Sequence, residues 1–332
     1  MSEPVWKEAF HIHTHEADTN GLARLDALFC YFQEAAGHHA SNLGVGIEDL
    51  GCKGCFWVLS RCWMQIARYP AWGQKIMVRT WPRAVERLFA MRDLQFLSEE
   101  GELLGSGVSA WLILSKDKHR LMRPGPIMRE VAPTQEPAMP GDVLGKQANP
   151  KELAQLHRFS VRFSDLDTNR HVNNAAYVRW ILDSFDAERH DRFEIGSIRI
   201  DYTSETALGE QIDVQAQAED AAGGQVILGV RPNGDQPVFQ NRLVYELLGS
   251  RMQDIHRKTH AGKKDKTMQG QHRQDLRHRQ IVGITAKFSL FRRFFRRNFC
   301  LFLLIVFAHD FQPASFGVQV KENPPAFSLI SR

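Results

Sequence analysis

The chain has 332 residues, 43% of them hydrophobic, a length and apolar content that call for about two domains with ample core. Its formal charge of +4 is unevenly spread: residues 251–332 hold 16 Lys+Arg against 5 Asp+Glu, a net +11, which leaves −7 on residues 1–250. The net basicity is therefore no guide to what the folded body binds, and no nucleic-acid partner is expected. Five cysteines, at 30, 52, 55, 62 and 300, form no disulfide framework, and Cys52-Lys-Gly-Cys55 lacks the second pair that a zinc site requires. Reduced thiols, no metal and no cofactor are the expectation. The start, Met1-Ser-Glu-Pro-Val-Trp-Lys-Glu8, has no basic cluster leading into an apolar core, so a cytoplasmic location is expected.

In chain order, His11, His13 and His15 alternate along an expected strand and share a face, with no carboxylate or cysteine partner in the pattern, so a solvated face is expected. Asp18-Thr-Asn20 leads into the apolar helix Ala27-Leu-Phe-Cys-Tyr-Phe-Gln-Glu-Ala35. His38 and His39, just past it, are expected to complement its C-terminal dipole. Strand-like runs follow at residues 56–66, 76–78, 89–96 and 108–114, rich in Trp and Phe.

The second half begins with Phe159, Val161 and Phe163, whose alternation predicts a strand. Next comes Ser164-Asp-Leu-Asp-Thr-Asn-Arg-His-Val-Asn-Asn174, with two carboxylates, three carboxamides and one imidazole, ahead of an apolar run at helical spacing over residues 175–185. This polar cluster falls at a strand-to-helix junction, with Asn173 or Asn174 as the cap. The first N–H groups of such a helix are a place for a developing oxyanion. Further strands are expected at 198–202, 212–218, 226–230 and 243–248.

The two halves repeat. Phe10-His-Ile12 precedes Asp18-Thr-Asn20 at the spacing by which Phe159-Ser-Val161 precedes Asp167-Thr-Asn169, and Gly73-Gln-Lys-Ile-Met-Val78 echoes Gly209-Glu-Gln-Ile-Asp-Val214. His171 falls opposite Leu22, and Glu205 opposite Tyr69. One copy keeps titratable groups where the other has lost them, which points to a single chemical centre in the second half. Helices that are apolar nearly all round imply burial against a wrapping sheet, an α+β layout repeated.

The stretch from Ser164 to Ser184 resembles the signature of plant and bacterial acyl-acyl-carrier-protein thioesterases, Asp-x-Asn-x-His-Val-Asn-Asn before a helix. Leu59-Ser-Arg-Cys-Trp-Met-Gln-Ile-Ala-Arg-Tyr-Pro-Ala-Trp-Gly73 resembles the first-half signature of the same family. The similarity runs from about Phe10 to Leu248. It implies a tandem (double) hot-dog fold, two antiparallel sheets each wrapped around a helix, and hydrolysis of fatty acyl-carrier-protein thioesters to free fatty acid. The family's Asp, Asn and His fall on Asp167, Asn169 and His171, and its downstream acid on Glu205 within Tyr202-Thr-Ser-Glu-Thr206. The family often has Cys where this chain has Thr206, which argues against a cysteine nucleophile there.

On this resemblance Glu205 holds and deprotonates water, with direct attack by Glu205 to give an anhydride as the alternative, and Asn169 and His171, with N–H groups at the helix start, polarise the carbonyl. Asp167 orients His171 or Asn169. Asn173, Asn174, Trp57 and Phe32 are expected to contact substrate, the aromatic residues as part of an apolar tunnel. The expected partners are acyl carrier protein, its phosphopantetheine arm and the acyl chain, for a monomer or homodimer. An acyl-CoA thioesterase and a non-catalytic acyl-binding regulator are the alternatives. The expected division is 1–135 (acyl binding), 136–155 (linker), 156–250 (catalytic) and a basic tail, 251–332, outside the fold, for which membrane contact through the apolar run 299–308 is the less favoured reading.

Overall fold

The computed structural model describes residues 3–247 except 135, 136, 140–144, 146, 148, 149, 233 and 235; the expected tail and much of the expected linker lie outside the described residues. The first half comprises β1 (Trp6–His11), α1 (Leu25–Asn42), α2 (Ile47–Cys52), β2 (Cys55–Ile66), β3 (Lys75–Glu86), β4 (Phe89–Ser98), β5 (Leu103–Ser115), β6 (Leu121–Met122) and α3 (Pro124–Ile127). The second comprises β7 (Ala154–Ser160), α4 (Asn174–Asp183), α5 (Ala187–Arg192), β8 (Phe193–Tyr202), β9 (Gln211–Ala216), β10 (Gly224–Val230) and β11 (Pro237–Leu247).

All the strands join one antiparallel sheet in the order β1-β3-β4-β5-β2-β8-β11-β10-β9-β7, with β6 added beside β5. Outward from the centre, β2-β5-β4-β3-β1 on one side matches β8-β11-β10-β9-β7 on the other, so the sequence repeat is a repeat of topology. The halves meet where β2 pairs with β8, Arg61 opposite Asp201 and Gln65 opposite Ser197. The echo at Gly73 and Gly209 is likewise structural. Both adopt positive φ, 82° and 85°, a conformation that favours glycine. Each donates its N–H at 3.0 Å to the residue that ends the repeat's first apolar pair, Gly73 to Ile12 and Gly209 to Val161.

Both long helices pack into one core. From α1, Leu25, Leu28, Phe29, Phe32 and Ala35 are buried, and from α4, Ala175, Val178 and Ile181, in a cluster that includes Ile198, Ile200 and Phe239. The helices also touch each other. Asn173 caps α4, its Oδ1 accepting the Ala175 N–H at 2.8 Å.

One strand ends earlier than its alternation predicts. β7 stops at Ser160, and Phe163 is 83% exposed in a 3-10 turn, Phe163–Asp165. The Arg162 N–H is taken by Asp165 Oδ2 at 2.8 Å, which closes a turn in place of a ladder bond. The first half does the same, with the His13 N–H on Glu16 Oε2 at 2.8 Å. His11, His13 and His15 are exposed, and the described residues hold no group of three or more His, Cys, Asp or Glu suited to a metal.

Phe32 is fully buried in this core and is not a wall of the cavity described below, a correction to its expected contact with substrate. Its position four residues from Leu28 and three from Ala35 puts it on the face of α1 that meets the sheet. Phe32→Ala is expected to cost about 3–5 kcal/mol of stability, the usual range for a truncated core phenylalanine. Urea unfolding of the purified variant measures it, and a loss under about 1 kcal/mol would place Phe32 outside the core.

Candidate active site

The polar cluster folds into a loop organised by one carboxylate. Asp167 Oδ1 accepts the Asn169 N–H at 2.8 Å and the His171 N–H at 3.1 Å. The Asp167 N–H bonds to His171 O at 2.8 Å, and the Arg170 N–H to Asp167 O at 3.0 Å. The first half builds the same loop without the imidazole: Asp18 Oδ1 accepts from Asn20 at 2.8 Å and Leu22 at 3.0 Å, the Asp18 N–H bonds to Leu22 O, and the Gly21 N–H to Asp18 O. Asp167 thus acts on Asn169 and His171 through their backbone N–H groups. Gly21 has φ 75° where the second loop has Arg170 at φ 63°, so the loop that carries His171 also keeps a non-glycine residue in the left-handed region.

His171 projects into a cavity of about 450 Å³, within the size range of small-molecule sites. Asp167, Asn169, Asn174 and Glu205 line it with His171. His171 Nε2 lies 4.0 Å from Glu205 Oε2, and their side chains are 39% and 46% exposed, so both stand at the solvent-reached end. The Glu205 carbonyl accepts from Arg231 Nη2 at 2.5 Å, which anchors the segment carrying it. Beside it, Thr206 is buried and its hydroxyl pairs with Tyr177 Oη at 2.8 Å, while burial pushes the Tyr177 phenol up to about 12.

Asn173 and three of the backbone donors around it are engaged within the protein. Asn173 is spent as the cap and is not among the lining residues. That cap also consumes the Ala175 N–H, and the Asn169 and His171 N–H groups go to Asp167, so these three backbone donors are not offered to a ligand.

Val172, Tyr177, Tyr202 and residues 203, 204 and 206 complete the second-half side, and the larger share of the wall comes from the first half. Ala36, Gly37 and Ala40 form a small-residue face on α1, and Val45, Phe56, Trp57, Met91 and Trp111 continue it. A Cβ built on Gly37 would meet nothing within 4 Å, as befits a residue facing open space. Trp57 is held by its indole N–H on Val45 O at 2.8 Å. Gln33, which nothing in the sequence pattern marked, also lines the cavity and bonds across to the second half: Asn174 Nδ2 donates to Gln33 Oε1 at 2.9 Å, and Gln33 Nε2 to Asn173 Oδ1 at 3.3 Å.

Arg92 is the one buried cation in the described wall. Its Nη1 donates to His39 Nδ1 at 3.0 Å and Thr80 Oγ1 at 3.2 Å. Because a guanidinium only donates, His39 Nδ1 is the acceptor and Nε2 carries the proton, given to Glu3 O at 2.8 Å. Burial, with the charge of Arg92 second, pulls His39 down to about 4, and burial pulls Arg92 to about 10, still charged at neutral pH. His39 is therefore a neutral core residue and not a partner of the helix dipole. His38 is exposed and pairs with Glu8 and Glu34 instead.

Family models match both halves: the acyl-ACP thioesterase N-terminal domain over residues 3–131 and the C-terminal domain over residues 148–273. The chain belongs to the acyl-ACP thioesterase family. Among curated relatives it is 29% identical over 236 residues to an oleoyl-acyl carrier protein thioesterase of Arabidopsis thaliana, covering 66% of this chain and 65% of that protein. It is 29% identical to a palmitoyl-acyl carrier protein thioesterase of Gossypium hirsutum, covering 60% of this chain and 52% of that protein. The chain thus spans between half and two thirds of the length of these relatives. Among solved structures, an acyl-ACP thioesterase from Bacteroides thetaiotaomicron superposes with TM-score 0.67 at 24% identity, covering 73% of this chain and 98% of that one. The 12:0-ACP thioesterase from Umbellularia californica gives TM-score 0.65 at 22% identity, covering 74% and 95%. These share the fold of this family member.

The neutral His39 gives a test of the packing behind Arg92. A histidine whose folded pKa lies below its unfolded value of 6.5 binds its proton more readily in the unfolded chain. Its contribution to stability is complete above about pH 6.5 and is lost as the pH falls toward 4. The His39 imidazole resonances are expected to titrate with a midpoint near 4 in NMR spectra of the folded protein. A midpoint near 6.5 would mean that the ring is not locked against Arg92.

Proposed function

We propose that this chain hydrolyses the thioester between a fatty acyl chain and acyl carrier protein, releasing free fatty acid. In this reading the halves are two hot-dog units: residues 1–135 bind the acyl chain, 136–155 link, and 156–250 carry the chemistry. The observation that carries it is the pairing of His171 and Glu205 in a cavity to which the other half contributes a mainly apolar face. Family membership and the names of the relatives support the substrate class.

Glu205 takes a proton from a water held between it and His171, and the water oxygen adds to the thioester carbon. The side chains of Asn169 and His171 stabilise the oxyanion, because the nearby backbone donors are engaged within the loop. Collapse breaks the C–S bond, and the proton held by Glu205 passes to the departing thiolate. Asp167 acts earlier, by fixing the backbone that aims both side chains. Thr206, bonded to Tyr177, takes no part as nucleophile.

Glu205→Gln and His171→Ala are each expected to lower turnover about a hundredfold or more on a saturating acyl-carrier-protein thioester. Leu22→Ala, at the matching place in the first half, is expected to leave the chemical step intact. Folded Glu205→Gln with parent turnover would remove Glu205 as the base. A parent protein that binds acyl chains yet cleaves neither carrier-protein nor CoA thioesters would mark it as a sensor. Trp57→Ala is expected to shift chain-length preference more than the rate on the best substrate. An unchanged product profile would dispose of Trp57 as a wall of the acyl site.

A further inference from the structure

The halves are related by a constant offset through the loop and helix: Asp18 matches Asp167, Leu25 and Asn174 open α1 and α4, and Gln33 and Leu182 are the ninth residues of those helices. The α1–α4 contact therefore has two equivalent places. At one, Gln33 meets the start of α4, at Asn173 and Asn174. At the other, the matching residues are Leu182 and, at the start of α1, Arg24 and Leu25. Leu25 is buried there and Leu182 packs against the same apolar cluster. The carboxamide contact lies at the start of the helix that His171 precedes; at the start of the helix that Leu22 precedes, the residue matching Gln33 is the apolar Leu182, and Arg24 pairs with Asp26 of its own helix at 3.0 Å.

Gln33 uses both ends of its amide. Oε1 accepts from Asn174 Nδ2 at 2.9 Å, and Nε2 donates to Asn173 Oδ1 at 3.3 Å, the same oxygen that caps α4 by accepting the Ala175 N–H. Tyr202 Oη fixes the other side of Asn174 by donating to its carbonyl at 3.1 Å. Only a side chain with a donor and an acceptor on one carbon fills this place, and the half-buried cavity wall makes an unmatched amide there costly.

We infer that Gln33, from the half without titratable chemistry, is a positioning residue of the hydrolytic site: it locks the first turn of α4, and with it the loop from Asp167 to His171, relative to the acyl-binding wall. The inference rests on the proposed thioesterase reading. It assigns Gln33 to the turnover step rather than to substrate affinity, since misplacing a catalytic group by a fraction of an ångström costs rate at any substrate concentration.

The test is a set of full-length variants, Gln33→Leu, Gln33→Glu and His171→Ala, assayed with an acyl-carrier-protein thioester and melted beside the parent. Gln33→Leu copies the apolar residue at the matching place and is expected to lower kcat roughly tenfold to a hundredfold, with KM changed by less than about threefold. Gln33→Glu keeps the acceptor for Asn174 but sets a carboxylate against Asn173 Oδ1. Its kcat relative to the parent is expected to rise as the pH falls from about 7 toward 4.5, where protonation restores the donor. A packing role alone would not produce that pH dependence. Folded Gln33→Leu with parent kcat, or Gln33→Glu tracking the parent across pH, overturns the inference when His171→Ala is slow. If Gln33→Leu does not fold, the pH ratio of Gln33→Glu decides. Parent turnover in His171→Ala would instead overturn the site itself, and this inference with it.

Discussion

The antiparallel pairing of β2 with β8 is the constraint on which the rest of the molecule depends. Each half alone would end in an open strand edge, a surface that invites pairing with other chains. Joined, the two edges satisfy each other and carry α1 and α4 into one shared core. Side-chain bonds cross the same seam: Trp63 Nε1 to Ser197 Oγ at 3.1 Å, Tyr69 Oη to Ile195 O at 2.8 Å, and Asn20 Nδ2 to His190 O at 3.1 Å. The cavity is a product of this seam, because both halves line it: the first supplies most of the apolar wall, and the second supplies His171 and Glu205.

Duplication supplies an internal comparison that separates fold from chemistry. Asp18 and Asp167 make the same four-bond loop although only one of them stands beside an imidazole. The aspartate is therefore required to make the turn, and the turn in the second half aims something that the first half does not have. The same logic applies to Glu16 and Asp165. Each receives an N–H three residues back, and each is bonded from its own helix, by Tyr31 and by Arg179. Among what differs after this subtraction are His171 against Leu22, Asn174 against Leu25, and Glu205 against Tyr69.

Much of this was legible in the sequence, and the physical reasons for the rest are specific. The loop and its helix were readable because Asp-Thr-Asn occurs twice before apolar runs at helical spacing, and both long helices lie where those runs predicted. Phe163 was misleading, since alternation continues by accident past the point where Asp165 captures the Arg162 N–H. His39 follows His38 at the end of α1, yet one ring turns out to Glu8 and the other inward to Arg92, a difference set by which face of the helix meets the sheet. Gln33 could not be found from its neighbours. Its partners, Asn173 and Asn174, are 140 and 141 residues away, and only the repeat, which places it against Leu182, carries a trace of its role.

The electrostatic layout also bears on the kind of chemistry. Arg92 lines the cavity from the first half and is bonded to the buried, neutral His39 and to Thr80. His171 and Glu205, by contrast, remain about two-fifths and nearly one-half exposed. A site that passes an acyl group to another nucleophile must keep water from competing, which calls for closure around the reacting carbon. A hydrolase has the reverse need, because water is its second substrate. A carboxylate and an imidazole facing each other at 4.0 Å where solvent reaches them are placed to meet water, which the proposed hydrolysis requires.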